Sequence, residues 1–476
     1  MASFLFCFAT IFPSGGTNNP ISYSRLLEES RSAPLLATQD SLQPGTLSPY
    51  AALARIPHTV LEYQYASGSW LGSRDFLKER GIEPSITYTS DSAGNPVGGK
   101  YPGGFTYCDN IAFNILMNAE KLVGWQGGYF MISALQRDGV SLSQQNVKNL
   151  FTVQQVYGGS ETFRFYEMYW EQKSRDERIN FKAGRFVAAD DFDTSPLYWL
   201  YMSRGIDGRP QSLAVDGRFS APPNAVWASR LKLKLPESTV FRAGAYQVTP
   251  NSVNGLNWNF TQNDGVMLLA QYEWDPEFFK PDPISAEEKI AEEQRKKNRS
   301  ARQVPGQAVP KGFIGHYWMG GYYSTYEYPQ FNSRTKVPGA YAFYWHGDQT
   351  IYRPNCDSNE GLVGWSVLTL APQDNIALIP FQVNGGLVYT GLIPGRRNDF
   401  TILGCAYGDL GPSQAKVPYQ GGSINPTYEL LYEAGYRINV TKYSYIQPDA
   451  MWIINPAGVG TTPNALVLGF QVGIIL

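Results

Sequence analysis

The sequence predicts an all-β protein: a transmembrane antiparallel β-barrel of about sixteen strands with a short N-terminal helix. Three observations point there. Runs in which polar and apolar residues alternate follow one another almost without pause from Glu83 to the end. The connections between these runs alternate between short turns and long loops. Charged residues are only 17%, against about 25% in ordinary soluble proteins, while aromatics reach 14% and glycines number 47.

Composition alone fits a soluble β-rich protein such as a lectin or propeller equally well, so the decision rests on periodicity. A chain of 476 residues would ordinarily suggest two or three soluble domains, but one large barrel absorbs that length. No run of 18 or more apolar residues is present, which excludes a transmembrane helix and leaves strands as the only way to cross a bilayer. The net charge of -2 argues against nucleic acid as a partner, since phosphate binding needs a basic face. Cys7, Cys108, Cys356 and Cys405 form no CxxC pair, and His58, His316 and His346 are far apart in sequence. Neither set supports a metal site, a cofactor or a His-based catalytic centre.

From the amino terminus, Ala2 to Phe12 (ASFLFCFATIF) has the length of a signal-peptide apolar region, inside a candidate signal segment 1–20. It lacks the usual Lys or Arg before it and a clean A-x-A site after it. Residues 21–64 read as a periplasmic leader, and 65–476 as the barrel domain. A helix is expected over Trp70 to Arg80, capped by Ser69 and ended by Gly81, with Trp70, Phe76 and Leu77 packing on a barrel rim or plug.

Sixteen strands are expected near 83–90, 105–117, 126–137, 160–172, 178–187, 226–236, 239–248, 264–275, 312–325, 340–353, 361–370, 376–390, 399–408, 426–438, 443–454 and 464–475. The clearest is TYELLYEAGYRI, where Tyr428, Leu430, Tyr432 and Tyr436 oppose Glu429, Glu433 and Arg437. In 226–236, Trp227, Leu231 and Leu233 oppose Arg230, Lys232 and Lys234, and in 160–172, Tyr166, Met168 and Trp170 oppose Glu167 and Glu171. Turns such as KSRDER, LPES and NVTK alternate with loops such as 138–159 and 188–225. Residues 276–310 break the rule: they hold a charged stretch of helical character, Ser285 to Asn298, and fall on the short-turn side. This insertion is expected to be dispensable for folding.

In such a barrel the chemistry is a polar lumen, a constriction and a field. Alternation directs Glu167, Glu171, Lys182, Arg230, Lys232, Arg242, Gln271, Glu429, Glu433, Arg437 and Asp449 inward, so both signs of charge face the lumen. Taken singly, each reads first as a lumen charge paired with its neighbours. The loop Val140 to Gly159 is the constriction candidate, with Gln144, Gln145, Asn146, Lys148, Asn149 and Phe151: an amide-rich loop can hydrogen-bond to the wall, although a surface loop is the simpler reading. Glu167 and Glu171, four apart on a strand, would lie roughly 13 Å apart at ~3.3 Å per residue, outside the ~5 to 9.5 Å spacing of glycosidase carboxylates.

An ordered series of motifs then narrows the class. WLGSRDFLKERGIEPSITYTSDSAGNPVGG (Trp70 to Gly99), LVGWQGGYFMISALQRDG (Leu122 to Gly139), NLFTVQQV, RFYEMYWEQ, FKAGRFVAADDFDTSP (Phe181 to Pro196), GLVYTGLIPGRRND and YIQPDAMWIINPAG (Tyr445 to Gly458) occur in the order that resembles the carbohydrate-selective, OprB-type porin family. The resemblance covers roughly residues 65 to 476. It implies a monomeric sixteen-stranded barrel in a bacterial outer membrane, narrowed by inward-folded loops, touching outer-membrane lipid and passing small polar solutes, sugars above all, with no cofactor. It also implies a pore role for Arg185, whose parity points outward unless a bulge at Gly184 re-aims it. Tyr169 would offer a face for a sugar ring to stack on. KYPGGFTY (Lys100 to Tyr107) lacks the arginines many members carry there. Two other readings stay open: a porin for a basic amino acid such as arginine, and a structural or adhesive surface barrel. Channel conductance with and without sugars separates them.

Overall fold

The computed structural model describes residues 63–476, apart from 160–161, 249–253, 257, 280–311, 355–358, 412–417, 420–421 and 424–425. The signal and leader readings, and the helical reading of Ser285 to Asn298, lie outside the described residues. Sixteen long strands run in chain order. They are β1 (Ile82–Val97), β2 (Gly104–Asn118), β3 (Gly128–Gly139), β4 (Thr162–Lys173), β5 (Ile179–Phe186), β6 (Val226–Leu235), β7 (Thr239–Gln247) and β8 (Val266–Trp274). The second half comprises β9 (Phe313–Pro329), β10 (Lys336–Tyr352), β11 (Gly361–Leu370), β12 (Phe381–Thr390), β13 (Phe400–Asp409), β14 (Tyr428–Asn439), β15 (Ser444–Ile454) and β16 (Ala465–Ile475).

Each strand pairs antiparallel with the next, and β1 pairs with β16 in register Thr87↔Ile475 through Gly94↔Leu468, so the sheet closes on itself. Closure leaves no unpaired edge, the condition for backbone to cross a lipid core as strands. A two-residue strand, Glu277–Phe278, adds to the start of β9 beside β8.

Side chains alternate across the wall as the pleat requires. On β8, Met267, Leu269, Gln271 and Glu273 are buried inside while Leu268, Tyr272 and Trp274 are exposed outside. Phe343, Trp345, Leu403, Tyr432, Trp452 and Leu468 extend the exposed apolar belt around the barrel. In water such a belt would be an aggregation hazard; in a bilayer it is the solvated surface.

Several boundaries differ from the expectation. β1 runs on through Asp91 to Val97 instead of turning, and its Asp91 faces the lumen, where it accepts from Gln471. β9 and β10 lengthen toward each other across the stretch read as loop. β12 begins only at Phe381: Ile376, Ala377 and Ile379 are buried, but off the ladder. The first helix, α1, is Ser73–Glu79; Ser69 Oγ accepts only from Gly72 N, at 3.3 Å, and Phe76 is exposed. The residue α1 buries is Arg74, which donates to the Leu476 carbonyl at 2.9 Å between the rings of Tyr65 and Trp70.

Candidate functional site

The lumen is occupied by two of the long loops. The connection 140–161 between β3 and β4 turns inward, and its Leu142, Val147, Phe151 and Val153 are fully buried. The connection 187–225 between β5 and β6 crosses the interior and carries a short helix, α2 (Gln211–Gly217). Both pack into apolar clusters inside the barrel. Tyr198, Tyr201, Met202 and Ile206 join Phe151, Trp365 and Met451, while Phe192 and Leu213 join Phe186, Tyr246 and Tyr344.

The inward charges hold these loops. Glu171, Lys182 and Arg230 stand side by side on β4, β5 and β6 in direct register. Asp191 of the second loop comes down onto them: its carboxylate is 3.0 Å from Lys182 Nζ and 3.0 Å from Arg230 Nε. Arg230 also reaches Glu171 at 3.3 Å and Asn180 Oδ1 at 2.6 Å, and Arg242 donates to the Asp191 carbonyl while pairing with Glu273. Buried charges are tolerable only when paired and hydrogen-bonded in this way.

Across the barrel, Glu433 accepts from Met202 N at 2.5 Å and Ser203 N at 3.1 Å. Arg437 donates to Gln447 at 2.7 Å, Gln471 at 3.0 Å and the Trp199 carbonyl at 3.1 Å. Gln471 passes the chain of bonds on to Asp91, which accepts from Val156 N of the first loop at 3.2 Å. Glu429 accepts from Leu150 N and Phe151 N of that same loop, each at 2.6 Å.

The candidate pore-lining residues are covered by the loops and their neighbours instead of lying against open water. Glu167, Glu171, Lys182, Arg185, Arg230, Lys232, Arg242, Glu429, Glu433, Arg437 and Asp449 are each less than a tenth exposed. Arg185 gains no bulge: the ladders on both sides of Gly184 run in unbroken register, so it keeps the face of its cross-strand partners Met168 and Trp227. Its guanidinium donates to the Ala225 carbonyl at 3.1 Å, where the second loop rejoins the wall. Gly184 sits at φ 140°, and a Cβ there would meet the Met168 carbonyl at 2.4 Å, so a larger residue does not fit. Tyr169 is covered too, by Phe186 and by Lys182 Nζ 4.3 Å above its ring.

In the predicted constriction loop, Phe151 is fully buried and Gln145 is exposed, facing a groove with Phe105 and Tyr107. Lys148 and Asn149 bond to Gln144 and Phe151 of their own loop. Sequence reasoning missed that 187–225 is the larger inward element. Its signal was there: acids in DDFDTSP opposite the basic faces of β5 to β7, then the apolar run LYWLYM, which no solvated loop would carry.

Two histidines that are distant in sequence also meet. His316 and His346 both contact Asp348, at 2.7 and 3.0 Å, and Trp318 stacks on His346 at 3.7 Å. Because His346 Nε2 donates to the carboxylate, Nδ1 of the neutral ring is left to accept from Tyr198 of the second loop, 2.5 Å away. Among the described residues no group of three metal-ligating side chains is arranged to hold an ion, and Cys108 and Cys405 are free.

A closed barrel with an apolar belt and a polar interior narrowed by inward loops is a porin. The chain belongs to the carbohydrate-selective porin, OprB family, whose model matches residues 103–476. It is 25% identical over 444 residues to Porin B of Pseudomonas aeruginosa, covering 85% of this chain and 90% of that one. The high-pH structure of Pseudomonas putida OprB superposes with a TM-score of 0.75 at 21% identity, over 87% of this chain and 99% of that chain. The low-pH structure of the same protein gives 0.54 at 18% identity, with the same coverage.

Proposed function

We propose that the protein sits in a bacterial outer membrane as a monomer and lets small polar solutes, carbohydrates foremost, diffuse through its lumen. The observation that supports this most is the fixing of both loops to the wall by buried ion pairs and carboxylate-to-backbone bonds. A passage narrowed by rigid, polar-anchored loops restricts solute size without a moving gate. Solutes cross by exchanging water for hydrogen bonds along it, and each exchange must stay weak for the solute to leave. The wall charges act through the loops they position.

The test is single-channel recording in planar bilayers, with and without sugars. A small conductance that falls saturably with sugar is expected. An absence of conductance would make this a structural barrel. Cation selectivity with block by arginine would move the reading to a basic amino acid.

A further inference from the structure

The ladder between β4 and β5 stops at Met168↔Arg185, because the chain leaves β5 after Phe186 and enters the lumen. Phe165 of β4 lies beyond that last pair, so the wall has a gap on its long-loop side. A charge stands at the edge of the gap. Arg185 shares the face of Trp227, which on β6 is the face opposite the buried Arg230 and Lys232. A bare guanidinium on the outer face of a barrel is costly in lipid, yet Arg185 is buried, with Trp227 6.0 Å from it.

The β7–β8 connection comes over this gap from the outside. The Asn254 carbonyl accepts from Phe165 N at 3.0 Å. Gly255 lies so close that a Cβ would stand 1.8 Å from the Phe165 carbonyl oxygen, an approach only glycine allows. Trp258 then bridges the strands on either side of β5, its ring 6.0 Å from Phe165 of β4 and 6.2 Å from Trp227 of β6. Leu256, Trp258 and Phe260, every second residue, are 63%, 44% and 56% exposed. The polar atoms beneath them are satisfied. Trp258 Nε1 donates to the Gly255 carbonyl at 3.1 Å, and Trp227 Nε1 donates to the Trp258 carbonyl at 2.9 Å. Gln247 at the end of β7 donates to the Asn259 carbonyl at 3.1 Å. Both indole donors are thus used within the protein, the condition for such a surface to meet lipid. Exposed Phe163 on β4 lies 6.2 Å from exposed Phe113 on β2, so the patch runs on into the apolar belt.

We propose that Leu256, Trp258 and Phe260 form a lipid-facing lid on the outside of the barrel, seated at the boundary between headgroups and acyl chains of the outer leaflet. This rests on the outer-membrane reading above. The lid closes the gap left where β5 turns into the lumen and keeps the Arg185 guanidinium out of the hydrocarbon. Its occupant is lipid because the patch continues the belt without a polar break, and because an aromatic surface with its donors satisfied gains most at that depth.

The experiment inserts the full chain into phosphatidylcholine vesicles whose acyl chains are brominated near the headgroup. Trp258→Phe removes one of eleven indoles, so the difference between wild-type and variant emission reports Trp258. That difference should fall at least twofold in brominated vesicles and respond little to aqueous iodide. In a Leu256→Asp with Phe260→Asp background, the same difference should lose at least half of its bromine quenching and become open to iodide. A retained heat-modifiable gel band shows that this background is assembled. Iodide quenching of Trp258 without bromine quenching in the wild type places the loop in water, as a face for another protein, and overturns the proposal while leaving the barrel intact. Unchanged quenching in the double Asp background overturns it as well. A wild-type chain that gives no heat-modifiable band in vesicles overturns both the proposal and the outer-membrane reading.

Discussion

Glu429 and Glu433, four residues apart on the inward face of β14, hold two different loops by the same pattern of bonds. Each carboxylate accepts a consecutive pair of backbone N–H groups, Leu150 and Phe151 for Glu429, Met202 and Ser203 for Glu433. One strand thereby fixes the relative position of both elements that narrow the lumen. The carboxylate is suited to this because its two oxygens can each take one donor.

Replacing either glutamate with Gln turns one acceptor oxygen into a donor and strands an N–H, at about 1 to 3 kcal/mol. Glu433→Gln should loosen the second loop and raise single-channel conductance at least twofold. Glu429→Gln should loosen the first loop and give a smaller rise. Recordings that match wild type for both would show that the loops are held by apolar packing alone.

Asp191 is the counter-charge for Lys182 and Arg230 together. Asp191→Asn removes the counter-charge that Lys182 and Arg230 share, and breaking such a buried pair costs about 3 to 5 kcal/mol. The temperature of the gel shift on heating should drop clearly, with the folded band still formed at low temperature. An unchanged transition would mean the cations find other partners.

Asp193 and Asp216 lie on the second loop, and burial raises both to about 7. In a released loop each would titrate near the ordinary ~3.9. Between about pH 4 and pH 7 the docked loop therefore holds protons that the released loop gives up. Its stability is full below this window, is lost as pH rises through it, and stays at the lower level above. Open-channel current noise should grow from pH 5 to pH 8, and Asp193→Asn with Asp216→Asn should flatten the trend. Noise that falls with rising pH in the wild type would contradict the assignment.

The barrel itself was legible because its two faces meet different solvents, and period-2 alternation records that difference residue by residue. Glu429, Glu433 and Arg437 could be placed inside from TYELLYEAGYRI alone, and the structure puts them there. The site was less legible. Alternation gives the direction of a side chain but not what covers it. Arg230 read as a pore charge, since nothing local to β6 announces Asp191 arriving from the loop. The three-way contact of His316, Asp348 and His346 was hidden for a simpler reason: it depends on cross-strand register between β9 and β10.

The fastening of the second loop also has a temporal side. Met202 and Ser203 meet Glu433 across 231 and 230 positions of chain, and Trp199 meets Arg437 across 238. These bonds need strands that are synthesised late in the chain, in a wall closed by the pairing of β1 with β16. A barrel short of one hairpin, or closed out of step, would displace Glu433 and Arg437 from the loop and leave it undocked. The narrowed lumen thus serves as a proofreading record of assembly: only the correctly counted and closed wall can be narrowed.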